Sequence, residues 1–351
     1  LTFIFKLMEQ NNTIIIGISV GDINGIGIEI ILKTFEDKRM LELCTPVLFA
    51  SKKIISKYKH ILNSEINIQT AHDIDSIIHG KMNLINVWNE EVEIAFGKEN
   101  KDGGKYALLS LEAAVNELNK GKIDVLVTAP INKNTIQSES FTFPGHTEYL
   151  ESKIGGKALM ILMHEKLKVA LLTGHIPLEE VTKTITPELI NNKVNILLDT
   201  LFLDFSIRKP KIAVLSINPH AGDNGVIGNH DREIVIPTID QLQKEGKLVY
   251  GPYASDSFFG SGNYLNFDAI LAAYHDQGLT AFKTLAFGKG VNYTAGLKKI
   301  RTSPDHGTAF DIAGIGIADF TSFSEAVFTA IEIFKNRKDN QELIDNSLQK
   351  K

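Results

Sequence analysis

Three short apolar runs of this chain each end in a histidine: 169–173 before Gly174 and His175, 212–217 before Asn218, Pro219 and His220, and 269–274 directly before His275. Neutral imidazoles ligate zinc and other divalent ions, and three protein ligands leave a coordination position for water or substrate. A second set of residues suits an anion. Lys133 closes Thr128-Ala-Pro-Ile-Asn-Lys133, and His146 and Thr147 follow the Pro-Gly pair of Phe143-Pro-Gly-His-Thr-Glu-Tyr149. Hydroxyl and imidazole donors beside the amides of a helix start would hold a phosphate or carboxylate. A capped helix beginning at Thr147 accounts for the same residues without a ligand. Lys283, Asn292 and Arg301 lie between His275 and Gly316, where seven glycines are mixed with charged residues. Arg offers phosphate a planar fork and Lys a point charge, although both also serve as solvated surface charges. Asp305, His306, Gly307 and Thr308 follow, and turn chemistry alone would explain them.

These residues need elements to position them. Apolar runs at 14–20, 47–50, 82–87 and 125–128, with the three histidine-tipped runs, alternate with amphipathic stretches such as 104–118 and 186–203. The last opens on Thr-Pro-Glu, a helix start. This alternation predicts βαβ units and a mostly parallel sheet, in which ligands gather at the carboxyl ends of strands. Gly21-Asp-Ile-Asn-Gly-Ile-Gly27 after the first run departs from the G-x-G-x-x-G order, so a tight strand-to-helix turn explains it as well as a dinucleotide does. Residues 275–316 read as a long functional loop, and the polar tail after Phe334 as a frayed end.

Composition narrows the partners. A length of 351 residues, 43% hydrophobic, suits one large α/β unit or two lobes. The net charge of −5 gives no general attraction to nucleic acid or an anionic membrane. Cys44 is the single cysteine, which excludes an internal disulfide or a cysteine zinc site and fits a reducing cytoplasm. No run approaches the roughly 18 apolar residues of a spanning helix. Residues 1–8 read as a leader, apolar but without a cleavage site.

Taken in order, Gly21-Asp-x-x-Gly-Ile-Gly27, Thr128-Ala-Pro-Ile-Asn-Lys133, Phe143-Pro-Gly-His-Thr-Glu148, Thr173-Gly-His175, Asn218-Pro-His-Ala-Gly222, Tyr274-His-Asp-Gln-Gly278 and Arg301-Thr-Ser-Pro-Asp-His-Gly-Thr308 closely resemble the 4-hydroxythreonine-4-phosphate dehydrogenase family of vitamin B6 biosynthesis. The resemblance spans about residues 14–330. It implies a two-lobed α/β/α fold similar to the isocitrate and isopropylmalate dehydrogenases, with a cleft between 9–135 plus 295–351 (the NAD side) and 136–294. By the same resemblance, His175, His220 and His275 are ligands of one divalent metal (zinc, magnesium, cobalt or manganese). His146, Thr147, Lys283, Asn292 and Arg301 bind substrate, and Asp305, His306, Gly307 and Thr308 bind NAD or NADP. Lys283 and Asp256 are the catalytic candidates, Asp256 as a proton acceptor.

The reaction implied is oxidation of 4-phosphooxy-L-threonine at its 3-hydroxyl, followed by decarboxylation to 3-amino-2-oxopropyl phosphate. The resemblance further implies a cytoplasmic homodimer with active sites at the interface, acting on a small phosphorylated amino acid. A sister dehydrogenase for 4-phosphothreonate, 4-phosphoerythronate or a dihydrodiol is the nearer alternative. A metal-dependent hydrolase or metal-binding protein is the more distant one. This chain departs from the family pattern at Ile23, Asn24 and Ile28, where Pro, Ala and Pro are usual, and at Pro304, where Val is usual. The altered turn should change its rigidity and leave the chemistry alone.

Overall fold

A computed structural model describes residues 13–346, so the leader expected at 1–8 lies outside the described residues. Twelve strands occur among them: β1 (Ile14–Ser19), β2 (Cys44–Ala50), β3 (Ile68–Ala71), β4 (Met82–Asn86), β5 (Val125–Thr128), β6 (Gly156–His164), β7 (Leu167–Leu171), β8 (Ile212–Leu215), β9 (Val249–Tyr253), β10 (Ala269–Ala272), β11 (Val291–Leu297) and β12 (Ile300–Pro304). The chain divides into two compact units. One closes at Gly156 and resumes over Leu297–Phe334; the other is Lys157–Gly296 with the chain from Lys335.

The first unit orders its strands β3-β4-β2-β1-β5-β12, every pairing parallel. Strands such as β2 and β5 are buried at every residue, which is why they read as unbroken apolar runs rather than alternating ones. Helix Lys101–Asn119 matches the stretch expected at 104–118, and Asn100 caps it by accepting from Gly103 N at 2.8 Å. Sequence reading puts the first boundary at 135/136, whereas it falls at 156/157. Helix His146–Ile154 is the reason: Tyr149 packs on Phe141 and Phe143 at ring distances of 5.1 and 5.6 Å, and Asn119 Nδ2 donates to Lys153 O at 3.0 Å.

The second unit orders its strands β11-β6-β7-β10-β8-β9, with β6 antiparallel to β7 and β10 parallel to both β7 and β8. Helix His275–Ala286 lies on this sheet through Leu279, Phe282 and Ala286, which join Val169, Leu171, Ala213, Leu215, Ile270 and Ala272 in one cluster. Burying Leu279 and Phe282 stabilises the docking by roughly 2 kcal/mol each. Gly278 permits the approach, since a Cβ there would meet Ala272 Cβ and Val169 Cγ1 at 2.9 Å. Residues 275–316, expected as one long loop, therefore hold this helix, β11 and β12.

The tail after Phe334 does not fray as expected. Helix Thr321–Asp345 continues through it, and the polar residues are partners of buried groups. Arg337 Nε donates to Asp204 Oδ1 at 2.5 Å, its Nη2 donates to Tyr293 Oη at 2.9 Å, and Tyr293 Oη donates to Asp204 Oδ2 at 2.5 Å. A buried carboxylate without such partners would be strongly destabilising, which ties this segment to the second unit. No helix among the described residues is long and apolar enough to cross a membrane.

Candidate active site

Three of the anion-binding candidates, Arg301, His146 and Lys133, come together within the first unit. Arg301 is on β12 rather than in a loop, buried to 2% exposure, and Thr128 at the end of β5 accepts from its Nε at 3.1 Å and its Nη2 at 2.6 Å. Burial lowers the guanidinium pKa to about 9, opposed by the carboxylate of Glu148. His146 opens helix His146–Ile154 behind Gly145, one residue before the start expected at Thr147 and with no side chain capping the helix. Its Nε2 is buried and meets no hydrogen-bond partner among the described residues. Burial first, then the charges of Arg301 and Lys133, hold His146 well below the ordinary imidazole pKa. A neutral imidazole, a desolvated guanidinium and an ammonium thus lie within electrostatic reach of one another, donor chemistry that suits an anion.

The loop expected to carry the cofactor follows β12. Asp305 N donates to Ser322 Oγ at 3.2 Å, His306 Nδ1 lies 3.0 Å from Gly307 O, and His306 Nε2 is another buried atom without a partner among the described residues. Thr308 O accepts from Ile26 N at 3.0 Å, which fastens this loop to the turn after β1. That turn is no phosphate cradle. Asp22 N donates to Pro130 O, Asn24 N to Asp22 Oδ1 and Gly25 N to Asp22 O, so the amides a pyrophosphate would need are taken.

In the second unit the three histidine-tipped runs end on neighbouring parallel strands, with Ala272 in register with Leu171 and Leu271 with Val214. The strands each stop two residues earlier than the apolar runs suggest. His175 and His275 pack with ring centroids 5.2 Å apart, and His275 Nδ1 is 2.6 Å from Asp276 Oδ1. His220 is displaced from this pair. It begins a left-handed run that includes Ala221, Asp223 and Asn224, and it lines a cavity of about 670 Å³ with Asn218, Asp256, Tyr274 and Asp276. Among the described residues no group of three or more His, Cys, Asp or Glu side chains is close enough to hold a metal ion. The expected three-histidine set is therefore not closed within one chain.

The other candidates of this unit are spread out. Asp256 is exposed at the start of helix Ser255–Gly260, its Oδ1 accepting from Ser257 N at 2.7 Å. Lys283 stands exposed on the last turn of the helix that His275 begins. Asn292 is half-buried on β11 with an Oδ1 that meets no partner among the described residues.

A family model described as "Pyridoxal phosphate biosynthetic protein PdxA" matches residues 42–330. The chain belongs to the PdxA family. It is accordingly an oxidoreductase of pyridoxal phosphate biosynthesis. A 4-hydroxythreonine-4-phosphate dehydrogenase of Bacteroides thetaiotaomicron is 51% identical over 345 residues, 98% of this chain and 94% of the relative. A protein of Oceanobacillus iheyensis, provisionally named D-threonate 4-phosphate dehydrogenase, is 38% identical over 91% of this chain and 97% of its own. The solved structure of 4-hydroxythreonine-4-phosphate dehydrogenase from Klebsiella pneumoniae superposes with a TM-score of 0.79 at 30% identity, covering 92% of this chain and 98% of that one.

Several residues of this PdxA chain that shape the site are missed by sequence reasoning. Asp231, fully buried, accepts from Ile217 N at 2.8 Å and from Asn218 N and Nδ2 at 2.9 Å, clamping the loop that carries His220. Its signal is faint, a lone acid in a polar stretch. Thr128 lies inside a quoted motif, yet nothing in its spacing marks it as the acceptor for Arg301.

Proposed function

We propose that this PdxA protein oxidises 4-phosphooxy-L-threonine at its 3-hydroxyl with NAD or NADP, and that the β-keto acid formed then loses carbon dioxide to give 3-amino-2-oxopropyl phosphate. The observation that carries the reading is the buried Arg301 with His146 and the exposed Lys133 close enough to act on each other's charge, a cationic cluster in a chain of a dehydrogenase family. Water is excluded from Arg301, so a phosphate or carboxylate there gains more than it would at a surface charge. His146, held neutral, donates or accepts one hydrogen bond at the orphaned Nε2 without adding charge. Lys283 and Asn292 of the second unit are proposed to bind substrate through an ammonium and an amide. Asp256 is the proposed proton acceptor.

The donor chemistry of the second unit suits a divalent ion: imidazoles end three adjacent strands, and two of them already converge. His175, His220 and His275 would hold it, with zinc, magnesium, cobalt or manganese as candidates. Asp305, His306, Gly307 and Thr308 would hold the nicotinamide cofactor, where the unpartnered His306 Nε2 offers a polar contact. When bound, the cofactor accepts hydride and the metal ion lowers the hydroxyl pKa and stabilises charge that develops during decarboxylation. Because one chain leaves the histidine set open, the working form is a homodimer with ligands drawn from both copies, acting in the cytoplasm. Exposed apolar side chains near His175 and His220 in the sequence support this: Leu178 and Val226 are 70 and 82% exposed.

The named relative of Oceanobacillus iheyensis favours one second reading, a dehydrogenase for D-threonate 4-phosphate. Following reduced nicotinamide spectroscopically with each phosphorylated acid separates the two. Faster turnover per substrate concentration with 4-phosphooxy-L-threonine is expected; reduction of cofactor only with the threonate would replace the first reading by the second.

A further inference from the structure

The strand ladders stop short of the histidines, yet the strand ends do not drift apart. Between β10 and β8 the last paired residues are Leu271 and Val214, and continuing that register places Ala273 opposite Ser216. There the side chain of Gln277 takes over. Its Oε1 accepts from Ala273 N at 2.7 Å and its Nε2 donates to Ser216 O at 2.7 Å. One amide is thus inserted between two backbones, holding the ends a side-chain amide apart. On the other side of β10, Thr173 Oγ1 donates to Ala273 O at 2.8 Å, Thr173 N reaches the same oxygen at 3.3 Å, and Leu172 N donates to Ala272 O at 2.8 Å. The Ala273 residue is therefore gripped at both its N–H and its C=O. Thr173 and Gln277 each sit two residues from a histidine, His175 and His275, and Ser216 lies four before His220.

We infer that Thr173 and Gln277 are positioning residues, a cross-strand stitch that sets the spacing of the three histidine-bearing strand ends for metal binding. This rests on the metal reading above. The chemistry of the stitch is directional. Ala273 N needs an acceptor and Ser216 O needs a donor, and among neutral side chains of this length only a glutamine amide offers both. Ser216 is in turn fixed by donating its N to Tyr253 O and its Oγ to Asn218 O, both at 2.8 Å, so the spacing is passed into the His220 loop that Asp231 clamps.

The test uses the purified full-length protein and cobalt(II) alone, followed by calorimetry and by the visible absorption of the bound ion. Gln277→Glu, which keeps the acceptor and turns a second oxygen toward Ser216 O, is expected to weaken cobalt affinity about 10- to 100-fold and alter the absorption spectrum. Gln277→Met should do the same. Thr173→Val is expected to behave likewise and Thr173→Ser to restore affinity, with metal-free melting temperatures close to the parent. Lowered melting temperature with parental cobalt affinity and spectrum in these variants would assign them a structural role only and overturn the inference. His220→Ala separates the two levels: if it binds cobalt as the parent does, the metal reading itself falls, whereas parental binding that needs His220 but ignores Gln277 and Thr173 removes the stitch alone.

Discussion

Arg301 stands where chemistry and cost meet. Burial pulls its pKa down to about 9, so an anionic group of the substrate would return the stabilisation that desolvation removes. Replacing it by Met should raise the KM for the phosphorylated substrate about 100-fold, the loss of roughly 3 kcal/mol of charge-assisted bonding, and Lys should not rescue the fork geometry. Steady-state kinetics read both. The sign with pH follows: the guanidinium keeps its charge below about 9, so KM stays flat from pH 6 to 8 and climbs above pH 9 as that charge is lost. His146 is shifted in the same direction, but its consequence falls at the acid end of the range. Folding keeps its ring neutral, while the unfolded chain takes up a proton near pH 6.5, so stability is full above that pH and falls below it. The fall is at most about 1.4 kcal/mol per pH unit. His146→Gln should lack this share of the slope in denaturation curves run from pH 7 to 5. Cys44, whose thiol burial pushes up to about 12, should resist thiol reagents until the chain unfolds, a point settled by a colorimetric titration with and without denaturant.

At the scale of elements, the turn after β1 shows what a glycine pattern means once its neighbours are known. Gly21 has φ +68 and a Cβ there would meet Pro130 O at 2.1 Å. Gly21→Ala should destabilise the protein by about 2–3 kcal/mol, seen as a lower denaturation midpoint. Asn24 occupies the place of an expected Ala, and its side chain explains the departure: Nδ2 donates to Lys98 O and Asn100 Oδ1, and Oδ1 accepts from Ala95 N at 2.9 Å. The turn is tied down by side-chain bonds where proline would have stiffened it. Strands β1, β5, β8 and β10 are legible from sequence because burial on both faces leaves uninterrupted apolar runs. Strand β11 and the strand position of Arg301 are not, since Asn292 and Arg301 bring polar types into a sheet. The ends of the histidine-tipped strands are misread for a different reason. Apolar character continues to Tyr274, but beyond Ala272 the backbone bonds to a side-chain amide, and no periodicity encodes that exchange.

For the whole molecule, the candidate site residues are legible as types and motifs, whereas their assembly is not. His175 and His275 converge while His220 sits on a left-handed loop, invisible to apolar patterning, and lines a cavity that Tyr274 and Asp276 on either side of His275 also line. The homodimer reading makes a direct prediction: sedimentation should report a dimer, and Val226→Asp should shift it toward monomer with loss of cobalt binding. The helix Thr321–Asp345 carries a consequence of another kind, one of timing. Asp204 and Tyr293 leave the ribosome well before Arg337, the residue that completes their buried cluster. A nascent chain halted short of Arg337 therefore holds a carboxylate it cannot yet bury without great cost. Such chains should remain open to proteolysis within 157–296 and become resistant only when the helix Thr321–Asp345 emerges, so the second unit can mature only after that helix has been made.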